Sequence, residues 1–262
     1  MSMEAAVNAK PLPALARKVM TIASGKGGVG KTWLAITLTH ALAKSGRKTL
    51  LFDGDLGLAN VDIQLGLMPK RDLASVIAGK ITLEQSVIDV EDVGFSVIAG
   101  RSGSGSLALL PPPRLNALRE QLLLLAASYD NVVIDLGAGV DRTVQTLTPA
   151  QGICIVVTTD EPTALTDAYA FIKLTLLERP NADIRVVVNL AQSQPAGQKT
   201  YETLAKACRS FLQFEPPLAG IVRRDGKVRQ CIQQQTPLLT LYPNCDAAAD
   251  VEKLVGTLLN SP

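Results

Sequence analysis

The chain has 262 residues, of which 47% are hydrophobic and 19% charged, and a formal net charge of +2. That length suits one large α/β domain or two small ones, and the apolar fraction is enough for a sizeable core. A charge so near neutrality excludes capture of nucleic acid by bulk attraction, so any anion site must be a local cluster. No apolar run approaches the ~20 residues needed to span a bilayer. The Pro-containing start lacks the apolar stretch of a signal peptide. Cys154, Cys208, Cys231 and Cys245 are too widely and irregularly spaced for a metal site, and free thiols in a reducing cytoplasm are expected. The single histidine, His40, sits in a helical pattern beside Ala41 and Leu42 and reads as a packed or surface residue rather than a ligand.

In chain order, residues 1–17 read as a flexible lead-in, because Pro11 and Pro13 break any helix; the folded domain is expected over 18–262. Strand-like runs follow at Val19–Ala23, Thr49–Phe52, Phe95–Ala99, Val132–Ile134, Ile153–Val157, Ile184–Val188 and Leu218–Val222. Helical patterns separate them: Leu34, Leu38, Ala41 and Leu42 form one, and Leu115, Leu118, Leu122 and Leu125 another. Continuous apolar strands alternating with helices predict a mostly parallel, doubly wound sheet covered by helices on both faces. Arg101–Ser106 and Gln192–Gly197 read as loops, neither long enough for a linker, and one domain is expected.

Gly25 to Thr32 spells Gly-Lys-Gly-Gly-Val-Gly-Lys-Thr, between the first strand and the first helix. This strand–loop–helix setting is the one a P-loop requires. Glycines let backbone N–H groups converge on phosphate oxygens, and the helix N-terminus adds partial positive charge. Gly25, Lys26, Gly27, Gly28, Val29 and Gly30 would then cradle the phosphates, Lys31 would reach the β- and γ-phosphates, and the Thr32 hydroxyl would coordinate Mg²⁺.

Three carboxylates are placed to complete such a site. The second strand ends in Asp53-Gly54-Asp55, and residues two apart on a strand share a face. One can support the Mg²⁺ shell and the other can orient an attacking water. Val132-Val133-Ile134-Asp135 is a strand ending in an acid, which places Asp135 as a holder of the Mg²⁺ shell. Gly137-Ala138-Gly139 after it suits a segment whose backbone approaches the γ-phosphate. Asn189 ends another strand; it reads either as an amide whose donor and acceptor match the edge of adenine or as a turn asparagine.

The Lys26-to-Thr32 string resembles the deviant Walker A motif of the MinD/ParA ATPases. That resemblance implies a P-loop NTPase fold, ATP with Mg²⁺, and an ATP-sandwich homodimer in which Lys26 stabilises transition-state charge in trans. It also implies a catalytic role for Asp55, a metal-shell role for Asp53, and adenine contact by Asn189. Two further segments, Asp53–Asp62 and Asp160–Lys173, with Asn189–Ser193 and 220–237, are similar to the FlhG/FleN branch, over about Val19 to Leu259. The branch implies a slow ATPase switch controlling flagellar number, placement or assembly. It implies partners such as an FlhF-like GTPase, a flagellar C-ring component or a flagellar transcriptional regulator; from the near-neutral charge, DNA is not the expected partner. Its place is then the cytoplasm, with recruitment to the cell pole or inner membrane through a partner. A MinD- or ParA-like division or partition ATPase, and a non-hydrolysing ATP-binding regulator that sequesters a partner, are the alternatives.

The chain departs from the family pattern at three places. Trp33 follows the P-loop where small or polar residues are usual, and either packs under the loop or alters the nucleotide pocket. Arg223 and Arg224 replace the usual Pro and aromatic of a turn and, with Lys227 and Arg229, form a basic cluster that is either a solvated surface or a contact to nucleotide, an acidic partner or DNA, with Arg223 the candidate for nucleotide. Met1 to Arg17 shows no activating Asp-Gln-Ala-type helix. The apolar positions Val251, Leu254, Val255, Leu258 and Leu259 lack basic flanks, so that helix is expected to pack on the domain, with membrane contact weak or absent.

Overall fold

The computed structural model describes residues 15–100 and 110–260. In chain order the elements are β1 (Val19–Ser24), α1 (Lys31–Lys44), β2 (Thr49–Gly54), α2 (Val61–Gln64), α3 (Leu73–Ile77), β3 (Ile88–Val90), β4 (Phe95–Ile98), α4 (Pro112–Leu125), β5 (Asn131–Ala138), α5 (Arg142–Leu147), β6 (Ile153–Thr158), α6 (Pro162–Glu178), β7 (Asp183–Ala191), α7 (Gln194–Leu212), β8 (Leu218–Arg223), α8 (Gly226–Gln233), α9 (Leu238–Leu241) and α10 (Asp246–Asn260). The strands form one sheet in the order β3-β4-β2-β5-β1-β6-β7-β8. All pairings are parallel except β3 with β4.

Side chains alternate across the sheet with period two and feed two cores. Val19, Phe52, Ile134, Val156 and Val186 face a core closed by α3 to α7. Ile22, Leu51, Val133, Ile155 and Val187 face one closed by α1, α2 and α8 to α10. This is the doubly wound sheet expected from the apolar runs. Helix α1 is buried along nearly its whole length, including Leu34, Ile36, Leu38 and Leu42. Each such side chain contributes roughly 1.5–3 kcal/mol when removed from water, so the helix that carries Lys31 and Thr32 is firmly anchored.

Three expectations change. β3 was not legible: it has three residues, is only partly buried, and pairs antiparallel at the sheet edge. The Gln192–Gly197 loop is shorter than its composition suggests, because Ser193 accepts a hydrogen bond from the N–H of Ala196 and caps α7, and a proline is tolerated in a helix's first turn. Packing begins before residue 18, since Leu15 and Ala16 are buried; residues 1–14 of the lead-in, and Arg101–Ser106, lie outside the described residues.

The four cysteines are free thiols, and Cys154 is buried in the sheet. His40 is buried against the ring of Phe95. α10 lays Val251, Leu254, Val255 and Leu258 into the core, and its Glu252 pairs with Lys44 of α1. Among the described residues no helix is long and apolar enough to cross a membrane.

Candidate functional site

A cleft of about 530 Å³ opens at the C-terminal ends of β1, β2 and β5, lined among others by Gly27, Gly28, Gly30, Lys31, Thr32, Asp55 and Gly137. Ligands of open α/β sheets bind at this end of the strands. Gly28 (φ 81°) and Gly30 (φ 90°) are in the left-handed region, which a side chain would strain. A Cβ at Gly30 would also collide with the Asn189 amide. The P-loop is therefore shaped by its glycines and by what packs behind it.

Lys31 is buried, with its ammonium donating to Ser24 Oγ at 2.8 Å. Ser24 Oγ in turn donates to the Lys26 carbonyl at 2.6 Å. Burial lowers the Lys31 pKa, while the charges of Asp135 and Asp55 pull it back up. Asp135 is buried beside Lys31 and the Thr32 hydroxyl, and its Oδ1 has no hydrogen-bond partner. An orphaned buried carboxylate oxygen is costly. Beside a hydroxyl, a lysine and a glycine cradle, it fits the outer shell of a Mg²⁺ ion carried by a phosphate ligand. Asp55 is half-buried in the cleft, with Oδ1 accepting the N–H of Leu58 at 3.0 Å. Its carboxylate lies against Gly137, where a Cβ would come within 3.4 Å of it.

Asp53 is placed differently from the expectation of a metal-shell residue. Like Asp135 it is fully buried and absent from the cleft lining, but unlike Asp135 it spends both oxygens on backbone N–H groups, those of Asp55 (3.3 Å), Asn60 and Val61 (both 3.2 Å). Its register partner across the sheet is Asp135. The reason is geometric: residues two apart share a face only while the strand continues, and β2 ends at Gly54. Asp53 braces the loop that aims Asp55.

These buried acids carry a pH signature. Burial, then the charge of Asp135, pushes Asp53 up to about 8; burial pushes Asp135 up to about 7. Between the ordinary carboxylate range and these values the folded chain holds protons that the unfolded chain has lost, so stability falls as pH rises. His40, lowered to about 4 by burial, acts oppositely, but only below its unfolded value of 6.5. The melting temperature of the nucleotide-free protein is therefore expected to rise as pH is lowered from about 8 to about 6.5. Asp135→Asn should flatten that slope in thermal melts; an unaltered slope would contradict the assignment.

The remaining expected site residues fall into two groups. Trp33 is buried in α1, yet lines the cleft with Leu58, Gln64 and Ile232, so it both packs and shapes the pocket. Asn189 is buried and donates from Nδ2 to the Val29 carbonyl at 2.8 Å, while its Oδ1 is without a partner. The next residue, Leu190, has φ 56°, an uncommon conformation for a bulky residue, at a register break between β7 and β8. The Asn189 amide thus props the P-loop from behind. Gly25 and Lys26 lie outside the cleft lining. Lys26 instead bonds to Glu161 and Thr163.

Arg223 does not meet the cleft either. Its guanidinium grips Asp250 of α10 (Nε–Oδ2 2.8 Å, Nη2–Oδ1 3.0 Å) and Asp246 (2.9 Å). Lys227 lies over the Tyr242 ring at 4.5 Å. Arg223 is thus used in holding the C-terminal helix, and Lys227 packs on the residue that ends α9. Sequence reasoning missed Ser24, Glu161, Thr163 and Asp167, all on backbone or side-chain contacts to the P-loop. No spacing rule links residue 26 to residue 161; only the sheet order, with β6 beside β1, brings them together.

A glycine cradle, a buried lysine and a buried aspartate of β5 at the mouth of a parallel sheet define a P-loop nucleotide-binding protein. The model of the CobQ/CobB/MinD/ParA nucleotide-binding domain matches residues 20–238. The antiactivator FleN of Pseudomonas aeruginosa is 36% identical over 88% of this chain and 82% of its own length. The flagellum site-determining protein YlxH of Helicobacter pylori is 29% identical over 93% and 82%. The structure of the septum site-determining protein MinD of Pyrococcus horikoshii, complexed with Mg-ADP, superposes with a TM-score of 0.75 at 25% identity, covering 91% of this chain and 94% of that one. The chain belongs to the MinD/ParA family of nucleotide-binding ATPases, in its FlhG/FleN branch.

Proposed function

We propose that the protein is an ATP-dependent switch that sets flagellar number or placement, cycling between a monomer and an ATP-bound homodimer. The observation that carries the dimer is the position of Lys26. It belongs to the P-loop string but lies outside its own cleft, with its side chain 34% exposed. A cation there is open to the phosphates of a second copy docked face to face.

Within one protomer this reading divides the labour as follows, with the cleft geometry in its support. The backbone of Gly27 to Gly30 and the Lys31 ammonium bind the phosphates. Thr32 and Asp135 would hold the Mg²⁺, which would offset the negative charge of the phosphates. Asp55 orients the attacking water, and Lys26 from the partner protomer adds charge stabilisation. Asn189 has its Nδ2 committed to Val29, which leaves Oδ1, an acceptor, for the adenine amino group.

FleN is called an antiactivator and YlxH a site-determining protein; partners of the same classes, a transcriptional activator or a component at the flagellar base, suit this chain. Cells lacking the protein are expected to show altered flagellar number or position when flagella are counted by electron microscopy. An unchanged count and placement would overturn the flagellar reading and leave a division or partition role.

A further inference from the structure

The cleft draws its walls from both faces of the sheet. Asp141, Thr143 and Val144 enter from the side of α5, and Trp33, Gln64 and Ile232 from α1, α2 and α8 on the opposite face. With Leu58 and Asn60, this second wall carries no charged side chain. It is also braced: Gln235, at φ 51° just beyond α8, donates from Nε2 to the Ile63 carbonyl of α2 at 2.8 Å. A wall of apolar and amide side chains suits an uncharged group rather than a further phosphate.

Trp33 stands out in that wall. It is the third residue of α1, where side chains lean back toward the helix N-terminus, and it is the chain's only tryptophan. It is 6% exposed, yet its Nε1 has no hydrogen-bond partner. Among the described residues, no other side chain lining the cleft leaves a buried polar atom unpaired. A buried indole N–H ordinarily finds an acceptor, and stranding one is a net cost. Leucine or phenylalanine would fill the same space without it. The position therefore carries a cost that the nucleotide-free chain does not recover.

We propose that Trp33 is a nucleoside-contacting residue. With phosphates on the Gly27–Thr32 backbone, its ring packs against the sugar end of the nucleotide, and its N–H donates to an oxygen of the ribose or of the phosphate ester on it. This rests on the reading of the cleft as a nucleotide site. It adds a residue that selects a nucleoside polyphosphate over a bare one.

Isothermal titration of the full chain with Mg-ADP, its deoxyribose analogue and Mg-pyrophosphate tests this in the parent and in Trp33→Phe, which keeps a ring and removes the donor. A hydrogen bond of this kind is worth about 2- to 12-fold, so Trp33→Phe should bind Mg-ADP more weakly by that factor and Mg-pyrophosphate as the parent does. A smaller loss with the deoxyribose analogue would assign the acceptor to the sugar hydroxyl, and an equal loss to an oxygen that both nucleotides share. As the only indole, Trp33 should also change its fluorescence in the parent when Mg-ADP binds. Unchanged Mg-ADP affinity, or equal losses for Mg-ADP and Mg-pyrophosphate, would overturn the proposal and leave Trp33 as packing under the P-loop. Should melting curves show that Trp33→Phe does not fold, the parent's emission decides alone, and an emission unmoved by bound Mg-ADP overturns it. A parent that binds none of the three ligands would instead fail the nucleotide reading itself.

Discussion

Lys31→Ala is expected to remove nucleotide binding while leaving the fold intact. The side chain is only 8% exposed and makes one hydrogen bond, to Ser24. Around it stand Asp135 and Asp55, whose charges raise its pKa against the lowering effect of burial. Without the ammonium, these two carboxylates face the phosphates uncompensated. Truncating one partner of a buried, hydrogen-bonded charge pair costs about 2–5 kcal/mol, or roughly 30- to several-thousand-fold in affinity. Isothermal titration with Mg-ADP should show a loss of that size. In the nucleotide-free protein the relief of a costly buried ammonium is offset by the loss of the counter-charge to Asp135 and Asp55, so it should still melt cooperatively near the parent, while the upward shift caused by added nucleotide should vanish. Lys26→Ala provides the contrast. Lys26 is outside the cleft, so Mg-ADP should bind with near-parental affinity and only turnover should suffer. A Lys31→Ala protein that binds within about threefold of the parent would remove Lys31 from the centre of the site.

The contrast between the two lysines also marks what could be read in the chain without its fold. Motifs whose parts are adjacent in sequence were legible: Gly25 to Thr32 links a strand to the first turn of a helix, and Asp135 lies on a strand beside it, which runs on to Ala138 rather than ending at the acid. The strands were legible because buried parallel strands are continuously apolar, and β1 and β2 are buried at every position. β3 has neither length nor full burial to announce it. Pairs of residues two apart were read too literally, since the chain bends after Gly54 and sends Asp53 into backbone bonds while Asp55 enters the cleft. Arg223 looked free in a basic string because its partners, Asp246 and Asp250, lie in a helix that only the fold brings to it. For Asn189 the chemistry of the amide suggested a base contact but not its second bond, to the P-loop carbonyl of Val29. In each case the missing information was the neighbour supplied by sheet order.

Asp55→Ala should separate the two halves of the proposed cycle. Asp55 enters the cleft from the β2 side and lies against Gly137 after β5. Its Oδ1 is anchored by the Leu58 N–H, and the loop behind it is fixed by Asp53. That leaves one carboxylate oxygen to hold a water in line with a terminal phosphate. A positioned general base contributes about 10²- to 10⁴-fold to rate, so steady-state phosphate release should fall by that range. Binding should persist, because Lys31, Thr32 and Asp135 are untouched. An ATP-bound state that cannot hydrolyse accumulates, and size-exclusion chromatography with Mg²⁺ and ATP should then show a doubled mass that ADP does not produce. Asp135→Asn should do the reverse, weakening Mg²⁺-dependent binding and leaving a monomer. If Asp55→Ala hydrolyses at the parental rate, the water is held elsewhere; if it binds ATP, fails to hydrolyse and stays monomeric, Lys26 has no second copy to act on. Only the joint outcome, slow hydrolysis with a trapped dimer, makes the half-exposed lysine at residue 26 a catalytic group of the neighbouring site.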